Sequence, residues 1–588
     1  MISLTDEQYA IVNHPGDAFI LACPGSGKTH AIVARIFRIA NTLPLRRGIA
    51  VLSFTNTAVD EFMRRCKQSG LVDKFFFPSF IGTFDSFLWH FCFAASGIES
   101  FNGRPTVVDS WDTLGIEVRL SGNRAFKGGG VSLDLFDAQT NQIDTGKVGH
   151  RGLRTHIEQN LTAYVQEAAR RRQNLLRNGY VSAADIRIHV LKKLLSPEYA
   201  NALGKALAAR FQEVIVDEAQ DCNPLDCQII KWLQDQGISV IIVADPDQAI
   251  YGFRHGNPSD LLKLFEEHPS SGRLSLTGNF RSTPVICAAA ATLRNRVEPD
   301  EALGETRILD EPVHVLAYKS ARVPASIGKY FLELLSLAKI PPDKGIVLAH
   351  ARRKSLAACG FKYENQVGNS KVAIIAQAVG MFWSPRASTR TRESALQLAE
   401  KSLLDVMGMI QNGDTSSRAA KREGIDPRWL RRSALQLISR LPRSCEDTNE
   451  RRSEWVEALR SEIRRLGIIY HSGTSEKRFF QDRRDAEWNQ LLDSQEVTRI
   501  SCGTIHEAKG KQYEAVCVVL PPDSGDFRRT EELITHWEGR TEDESKRVVY
   551  VGITRARKLV AIAIPELFRN RIETILNAGD VNYRVHTI

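Results

Sequence analysis

The sequence lacks any apolar run of the length that crosses a membrane. A transmembrane helix needs about 18 or more consecutive apolar residues, and every apolar stretch in this chain is shorter. The amino terminus, MISLTDEQYAIVNHPG, also lacks the basic segment and apolar core of a secretory signal. We therefore expect a cytoplasmic protein with no membrane contact.

Paired cysteines and a strong charge excess are missing as well. The ten cysteines form no CxxC pair, and the spacing of Cys222 and Cys227 does not match a zinc or iron–sulfur site. Free thiols in a reducing compartment are therefore expected. The net charge of +9 over 588 residues is compatible with a polyanionic partner but equally with an ordinary solvated surface.

A phosphate-binding loop is the first clear motif. The segment at 18–40 has an apolar strand, a glycine-rich loop and an amphipathic helix, and its loop, ACPGSGKT, contains Pro24, Gly25, Ser26, Gly27, Lys28 and Thr29. Backbone N–H groups of such a loop surround phosphate oxygens. Lys28 is expected to reach the β- and γ-phosphates, and Thr29 to ligate Mg²⁺. Ala22 stands where the strict pattern has glycine.

A second acidic element follows at 211–221, FQEVIVDEAQD. Its apolar strand ends in Asp217 and Glu218, and two adjacent carboxylates at the end of a buried strand are costly without a cation. We predict that Asp217 holds Mg²⁺ and that Glu218 polarises the attacking water. Together with the phosphate loop, this pair predicts a nucleoside triphosphatase.

The order of apolar and helical segments predicts an α/β fold with parallel sheets flanked by helices. A first strand–helix series runs through 18–91 and resumes at 213, and a second series has strands at 313–318, 344–350, 514–521 and 557–565. The intervening segments differ: 127–147 alternates like a hairpin, 161–180 is a basic helix, and 366–489 is helical and arginine-rich. The basic face of 366–489 suits a solvated surface, a nucleic acid or a protein equally.

Nine motifs in order resemble those of the UvrD/Rep/PcrA-like superfamily 1 DNA helicases. They are LTDEQYAIV, ACPGSGKT, SFTNTAVDEF, IGTFDSF, VIVDEAQD, VADPDQAIYGFRH, LTGNFRSTPVI, GTIHEAKGKQYEAV and VVYVGITRAR. The resemblance implies two RecA-like P-loop NTPase motor domains, each with a mainly helical insertion. The implied boundaries are 1–91 with 205–283 for motor domain 1A, 92–204 for insertion 1B, 284–365 with 490–588 for motor domain 2A, and 366–489 for a reduced insertion 2B.

The resemblance also implies the residues of the ATP site. Lys28, Asp217 and Glu218 match the catalytic positions already derived, and Gln248, Arg281 and Arg555 match a γ-phosphate sensor and two arginines that reach the γ-phosphate. Further nucleotide contacts are implied at Gln8, His30, Phe280 and Gln512. Phe280 replaces the family's usual tyrosine on adenine, His30 a common arginine, and Gln512 a glutamate that touches the ribose, so the preference for ATP over other triphosphates is not determined by these residues.

The same resemblance implies a path for single-stranded DNA. The implied contacts are Phe54, Thr55, Asn56, Thr83, Phe84, Asp85, Tyr251, Phe253, Arg254 and His506. Aromatic platforms suit a motor that does not read sequence, because every base has a π-face. Asp85 stands where the family often has histidine, and Phe253 where it usually has tryptophan.

The family therefore implies an ATP- and Mg²⁺-dependent helicase or translocase that acts 3′ to 5′ on single strands and on single-strand/duplex junctions. One alternative is a motor subunit that works beside a separately encoded nuclease in repair or antiviral defence, since the chain loosely resembles the helicase subunit of Gabija anti-phage systems. Another is a nucleotide-dependent switch that binds a protein and never translocates. Stimulation of hydrolysis by single-stranded DNA distinguishes a motor from such a switch.

Overall fold

The computed structural model describes most of the chain as two compact units. The described residues are 4–40, 42–44, 46–68, 77–94, 97–98, 101–122, 126, 129–250, 258–295, 298–360, 371–383, 389–410, 416–443, 449–471, 475–480, 500–522 and 529–588. Unit 1 comprises Met1–Val108, Gln173–Ala358 and Cys502–Ile588, and unit 2 comprises Asp109–Arg172 and Cys359–Ser501.

The strands lie mainly in unit 1. In chain order they are β1 (Ala18–Ala22), β2 (Gly48–Ser53), β3 (Phe80–Thr83), β4 (Thr106–Val108), β5 (Glu117–Val118), β6 (Val131–Ser132), β7 (Tyr180–Ser182), β8 (Phe211–Val216), β9 (Ser239–Ala244), β10 (Arg273–Leu276), β11 (Gly278–Asn279), β12 (Glu301–Ala302), β13 (Val313–Tyr318), β14 (Gly345–Ala349), β15 (Ser501–Thr504), β16 (Tyr513–Val519), β17 (Ala556–Pro565) and β18 (Tyr583–Thr587).

Helices connect these strands and build most of unit 2. They are α1 (Asp6–Asn13), α2 (Lys28–Ala40), α3 (Asn56–Gln68), α4 (Phe84–Phe87), α5 (Arg151–Gln159), α6 (Leu161–Arg177), α7 (Ala183–Leu194), α8 (Pro197–Arg210), α9 (Pro224–Asp235), α10 (Pro258–Glu267), α11 (Pro284–Ala291), α12 (Ser326–Leu337), α13 (Arg352–Ala358), α14 (Lys371–Trp383), α15 (Thr389–Val406), α16 (Ser416–Arg422), α17 (Pro427–Arg440), α18 (Asn449–Arg465), α19 (Glu476–Phe479), α20 (Ile505–Ala508), α21 (Arg529–Glu538), α22 (Glu544–Ile553) and α23 (Arg569–Ala578).

The first sheet of unit 1 has the strand order β10-β1-β9-β8-β2-β3, and its strand pairs are parallel. Side chains of successive residues point to opposite faces, because a strand alternates with period two. Val214 and Val216 accordingly pack in one hydrophobic cluster and Ile215 in another, one on each face. Both faces are therefore covered by helices, and the loops after β1, β8 and β9 meet at one edge.

The second sheet of unit 1 has the order β15-β14-β16-β17-β13-β18. The pairs β14–β16, β16–β17, β13–β17 and β13–β18 are parallel. Its apolar strands are those predicted at 313–318, 344–350, 514–521 and 557–565. The edge strand β18 was not predicted, because YRVHT alternates polar and apolar residues over only five positions.

Unit 2 is mainly helical. Helices α14 to α18 contribute to one hydrophobic cluster that contains Trp455 and Phe480. The predicted helix at 161–180 forms as α6. In the segment 127–147, whose alternation resembles a hairpin, an antiparallel bridge joins Phe136 to Ile143. Strand β6 pairs antiparallel with β5, which lies before the segment. A 3-10 turn at Leu133–Leu135 ends β6 after two residues, so a longer ladder cannot form.

The structure thus confirms the predicted α/β class with two parallel sheets and helical insertions. Across the described ranges, no helix combines the length and apolar character needed to cross a membrane. The division at residues 92, 205, 284, 366 and 490 stays a prediction.

Candidate active site

The phosphate loop connects β1 to α2 and depends on two glycines. Gly25 and Gly27 both have φ of +76°, a conformation that favours glycine. A Cβ on Gly25 would lie 2.7 Å from Cβ of Arg281, and a Cβ on Gly27 would lie 2.6 Å from Nε2 of Gln8. The loop is therefore closely lined by the helix before it and by the strand-end segment that carries Arg281.

Gln8 is buried beside this loop. Its Oε1 accepts a hydrogen bond from the Thr5 backbone at 3.2 Å, and its Nε2 donates to the carbonyl of Ser26 at 3.0 Å. The first contact belongs to a capping box that begins α1. The hydroxyl of Ser26 is buried and has no protein partner among the described residues. An open loop with a buried unsatisfied hydroxyl fits a phosphate ligand.

The acidic pair predicted after β8 lies opposite Lys28. The Nζ of Lys28 is 3.7 Å from the Glu218 carboxylate. Burial alone lowers the pKa of Lys28, but Glu218, Asp245 and Asp217 outweigh it, so this pKa is raised and the amine stays charged. Glu218 has a left-handed backbone, with φ of 57°, and such a conformation in a non-glycine residue is often found at functional sites.

Asp217 and Glu218 differ in their electrostatic surroundings. Burial and the adjacent Glu218 raise the pKa of Asp217 to about 6. Burial raises the pKa of Glu218, but Lys28 and Lys509 reverse this, so Glu218 stays ionised. A buried carboxyl group with a raised pKa beside an ionised carboxylate is suited to binding a cation. The described residues contain no group of three or more His, Cys, Asp or Glu side chains suited to a metal. The residues that would hold Mg²⁺ are Asp217 and Thr29, together with phosphate oxygens of the nucleotide.

A chain of hydrogen bonds leads from the acidic pair to the second sheet. Gln220 donates to the Glu218 carboxylate and accepts from the Asp245 backbone at 3.0 Å. Gln248 donates to Asp245 at 2.6 Å, and Arg555 donates from Nη2 to Gln248 Oε1 at 2.7 Å. Every side chain in this series of hydrogen bonds except that of Glu218 is buried. Gln220 and Asp245 were missed in the sequence, although both lie inside quoted motifs.

Two arginines predicted to reach the γ-phosphate lie in the same buried region. Arg281 donates from Nη1 to the carbonyl of Thr554 at 2.8 Å, and Arg555 donates from Nε to the carbonyl of Val551 at 3.0 Å. Burial and the neighbouring Arg555 lower the pKa of Arg281 to about 9. Burial also lowers the pKa of Arg555, which Glu218 and Asp245 offset only in part. Two neighbouring guanidinium groups whose pKa values are both lowered are suited to binding a polyanionic ligand.

The remaining nucleotide residues differ in exposure. Phe280 keeps 38% of its surface exposed, which leaves its ring free to stack. Its backbone N–H donates to the carbonyl of Gly25 at 2.9 Å. Gln512 is exposed and His30 is half-buried. Burial, and then Arg65, lower the pKa of His30, so its imidazole is neutral near pH 7.

Two predicted DNA-contact aromatics lie in the core instead of at the surface. Phe54 and Phe84 are 8% and 0% exposed, and their rings stack at 5.4 Å with an interplanar angle of 16°. In this conformation neither ring has a free face for a base. Thr55 is half-buried and Asn56 is exposed at the start of α3. The hydroxyl of Thr83 accepts from the Ser86 backbone and caps α4.

Asp85 is fixed by an ion-pair cluster that the sequence did not predict. Arg187 on α7 contacts the Asp85 carboxylate at 2.7 Å and the Asp226 carboxylate on α9 at 2.6 Å. Asp226 is almost fully buried, whereas about half of the Asp85 side chain is exposed. Helix α4, which begins directly after β3, is therefore tied to α9, the helix that follows the acidic pair.

His506 and Lys509 connect the second sheet to the first. The Nε2 of His506 lies 3.2 Å from the carbonyl of Ile250, directly before the predicted stacking residues. Tyr251, Phe253 and Arg254 themselves lie outside the described residues. Lys509, which was missed, donates to both oxygens of Asp221 at 2.7 Å, and the two side chains are 6% and 0% exposed.

Known protein families match segments of the chain that contribute to both sheets. Residues 4–269 match the UvrD/REP helicase N-terminal domain, and residues 432–566 match the UvrD-like helicase C-terminal domain. The ATP-dependent DNA helicase UvrD2 of Mycobacterium tuberculosis is 24% identical over 603 residues, covering 95% of this chain and 78% of the relative.

Two further relatives agree in family. The putative ATP-dependent DNA helicase YjcD of Bacillus subtilis is 22% identical over 627 residues, covering 95% of this chain and 78% of the relative. DNA helicase II of Escherichia coli is 27% identical over 301 residues, which are 50% of this chain and 40% of the relative. The similarity to UvrD2 and YjcD spans both parallel sheets, so the buried site lies between two parts that these relatives also have.

Proposed function

The chain belongs to the UvrD/Rep-like superfamily 1 of ATP-dependent DNA helicases, and we propose that it couples Mg-ATP hydrolysis to movement along single-stranded DNA in the 3′ to 5′ direction. ATP would bind at the phosphate loop, with Gln8 and Phe280 toward the base. The DNA would contact the loop after β2, the junction of β3 and α4, and the segment that contains Tyr251, Phe253 and Arg254.

The observation that carries this proposal is the hydrogen bond between Arg555 and Gln248. Gln248 follows β9 of the first sheet, and Arg555 follows α22 and precedes β17 of the second. A site that takes essential groups from two sheets is complete only when they are close together. Hydrolysis can then be coupled to relative movement of the two sheets, which is how closure gates chemistry in many enzymes.

The chain's own residues supply the parts of phosphoryl transfer. Glu218 is ionised and would orient and polarise the attacking water. Lys28, Arg281 and Arg555 would stabilise negative charge on the transferred phosphoryl group. When bound, Mg²⁺ would neutralise phosphate charge and orient the triphosphate. Gln248 contacts Arg555 and Asp245, so it is suited to sense whether the γ-phosphate is present.

The route from the ATP site to DNA follows the same segment. Gln248 and Ile250 are buried between the two sheets, and Ile250 accepts from His506 if that ring nitrogen carries the proton. Residues 251–257 continue this segment directly. The proposed stacking of Tyr251 and Phe253 on bases rests on the family resemblance. A short connection in sequence of this kind would report the nucleotide state to the bound strand.

The test uses the purified full chain alone. We expect single-stranded DNA to raise the rate of ATP hydrolysis many-fold, and ATP with Mg²⁺ to unwind a duplex with a 3′ tail but not one with a 5′ tail. Lack of DNA stimulation would reject the motor and favour a nucleotide switch. Stimulated hydrolysis without unwinding would restrict the activity to translocation or point to a required partner, such as a nuclease.

Two variants separate the proposed roles in ATP hydrolysis and in DNA binding. Lys28→Ala should abolish hydrolysis with and without DNA, because it removes the main cation of the phosphate loop. Phe253→Ala should lose most of the DNA stimulation while the DNA-free rate changes much less, because one stacking contact is worth roughly 1–3 kcal/mol. Equal loss of the DNA-free rate in both variants would contradict the proposed division of roles.

A further inference from the structure

Tyr550 is a fully buried tyrosine in the middle of α22, with 1% of its surface exposed. Its hydroxyl has no hydrogen-bond partner among the described residues. The hydroxyl of a buried tyrosine usually has such a partner, because burial of a polar group without one is unfavourable. Unpartnered groups of this kind are rare in folded proteins, and a role in catalysis is one reason for which they are kept.

The face of α22 that carries Tyr550 packs on the turn that contains Gln248. This turn, Pro246–Gln248 with its cap Asp245, is named the sensor turn, and α22 contacts it directly. Arg547 lies three residues before Tyr550 and therefore on the same side of the helix. Its Nε donates to the carbonyl of Ala249, next to the sensor turn, at 2.8 Å. The helix thus holds Tyr550 close to the sensor turn.

The phenol of Tyr550 is surrounded by charged groups. Burial raises the pKa of Tyr550 well above its usual value, and the Asp245 carboxylate raises it further, with Arg294 opposing. The guanidinium carbon of Arg294 lies 5.8 Å from the centre of the Tyr550 ring. Arg294 is itself paired with Asp300 at 2.7 Å. Among the acidic groups around the phenol, Asp245 has the largest effect, so it is the first candidate for an acceptor.

Asp245 has capacity for a further donor. One of its oxygens accepts from the Asp247 backbone at 3.2 Å, and the other accepts from Nε2 of Gln248 at 2.6 Å. A carboxylate has about four acceptor sites, so each oxygen can take one more hydrogen bond. Because Asp245 is only 3% exposed, its charge depends on donors within the protein.

The amide of Gln248 is fully engaged in this conformation. Its Nε2 donates to Asp245, and its Oε1 accepts from Arg555 at 2.7 Å. A γ-phosphate accepts hydrogen bonds, so Gln248 can sense it only through Nε2. Rotation of that group toward the phosphate weakens the bond to Asp245. Loss of a donor to a buried charge is strongly unfavourable, and a second donor beside Asp245 removes this cost.

We propose that Tyr550 is a positioning residue of the ATP site, whose hydroxyl donates to Asp245 when Gln248 turns to the γ-phosphate. The exchange keeps the buried carboxylate bonded in both states of the sensor turn. It also ties α22, which directly precedes Arg555, to the end of β9 when the γ-phosphate is bound. The inference rests on the proposed role of Gln248 and adds a residue on which the distinction between ATP and ADP depends.

The test compares the affinity of the full chain for ADP and for a non-hydrolysable ATP analogue, both fluorescently labelled, with Mg²⁺ and without DNA. In Tyr550→Phe the Kd for the analogue should rise by roughly tenfold or more, because a hydrogen bond to a charged group is lost. The Kd for ADP should stay close to wild type, since the exchange needs the γ-phosphate. The urea midpoint without nucleotide should be unchanged or higher, because the substitution removes an unpartnered buried hydroxyl.

Tyr164→Phe is the matched control. Tyr164 on α6 is 0% exposed, and its hydroxyl also has no partner among the described residues. It belongs to unit 2, whereas the residues of the ATP site belong to unit 1. The substitution should likewise leave the urea midpoint without nucleotide unchanged or higher. It should leave the ratio of the two Kd values unchanged.

A second comparison tests the exchange itself. Gln248→Leu should reduce the distinction between the analogue and ADP. Gln248→Leu/Tyr550→Phe should reduce it no further, because without Gln248 there is no exchange to support, and residues that act as a unit are not additive.

The wild-type ratio of Kd values in Tyr550→Phe, or an equal weakening of both nucleotides, overturns the proposal. An equal change of the ratio in Tyr164→Phe, or an additive loss in the double variant, also overturns it. If Gln248→Leu keeps the wild-type ratio, the proposed sensor fails together with the exchange; if only Tyr550→Phe keeps it, the sensor stands and the exchange fails. The measurement uses no DNA, so its result is independent of whether DNA stimulates hydrolysis.

Discussion

At the scale of single residues, the candidate active site is a series of buried polar contacts that each need a partner. Glu218, Gln220, Asp245, Gln248 and Arg555 form a continuous hydrogen-bonded chain. A buried donor or acceptor without a partner costs about 1–3 kcal/mol. The residues of this hydrogen-bonded series therefore depend on one another. Removal of a residue at either end leaves its neighbour buried without a partner.

Arg555→Ala is the sharpest test at this scale. We expect kcat for ATP hydrolysis to fall by roughly 10³-fold or more, as for loss of an arginine finger, while nucleotide-free binding of single-stranded DNA stays close to wild type. Steady-state hydrolysis and DNA anisotropy measure the two quantities.

The control for this prediction is Arg557→Ala. Arg557 lies two residues further along, and its side chain is partly exposed beside Glu514 at 3.5 Å. A comparable loss of kcat in that variant would show that Arg555 acts through general charge and not through its place in the site.

At the scale of secondary-structure elements, the carboxyl-terminal strand β18 closes one edge of the second sheet. It pairs with β13, and His586 of β18 lies 2.9 Å from His314 of β13. Glu311 and Tyr330 contact the outer nitrogens of this pair. Burial lowers the pKa of His314, with Glu311 opposing it, and burial followed by His314 and Arg584 lower the pKa of His586.

This histidine pair predicts a loss of stability in mild acid. A lowered pKa means that the folded state binds fewer protons than the unfolded state, so stability rises with pH. The contribution is complete above the ordinary histidine pKa of about 6.5 and is lost as the pH falls through the lowered values. We expect the urea concentration at the midpoint of unfolding to decrease as the pH is lowered from 8 to 5.5.

The double variant His314→Asn/His586→Gln should show a smaller decrease of the urea midpoint over this pH range. His90→Gln, which changes an exposed histidine outside the pair, should behave as wild type. If the double variant keeps the full pH dependence, other groups are responsible.

At the scale of the whole molecule, within unit 1 the two sheets are joined by buried polar contacts as well as by apolar ones. Lys509, after α20, contacts Asp221, which follows the acidic pair, across a separation of 288 residues. The backbone of Ala249 accepts from Arg547 at 2.8 Å, and that of Ala556 accepts from Ser282 at 2.8 Å. The contact between Lys509 and Asp221 is the most deeply buried charged contact of the three. Its loss is therefore expected to lower the stability of the folded chain.

Lys509→Ala should destabilise the folded chain by about 3–5 kcal/mol, because Asp221 would remain buried without its partner. Lys509→Met/Asp221→Leu should be much less destabilising, since it removes both charges. Urea unfolding monitored by fluorescence gives the comparison. Lys511→Ala, at an exposed position, serves as the control, and an equal effect there would contradict the assignment to the buried pair.

The local parts of this protein can be predicted from contiguous stretches of its amino-acid sequence. Apolar runs predicted the strands of both sheets, and the glycine-rich loop and the Asp217–Glu218 pair predicted the phosphate and acidic elements, because each is encoded by contiguous residues of fixed period or spacing. The resemblance implied DNA contacts at Phe54 and Phe84, whose rings pack against each other in the core. A loop sequence does not say which way an aromatic side chain points, and the DNA contact of these two residues stays a prediction.

The packing of the two sheets fixes which distant residues meet. Arg555 and Gln248 are 307 residues apart in sequence, and Gln220, Asp245 and Lys509 acquire their partners only when the loops of two sheets come together. The physical reason is burial: a polar group far from water must find its partner wherever folding places one.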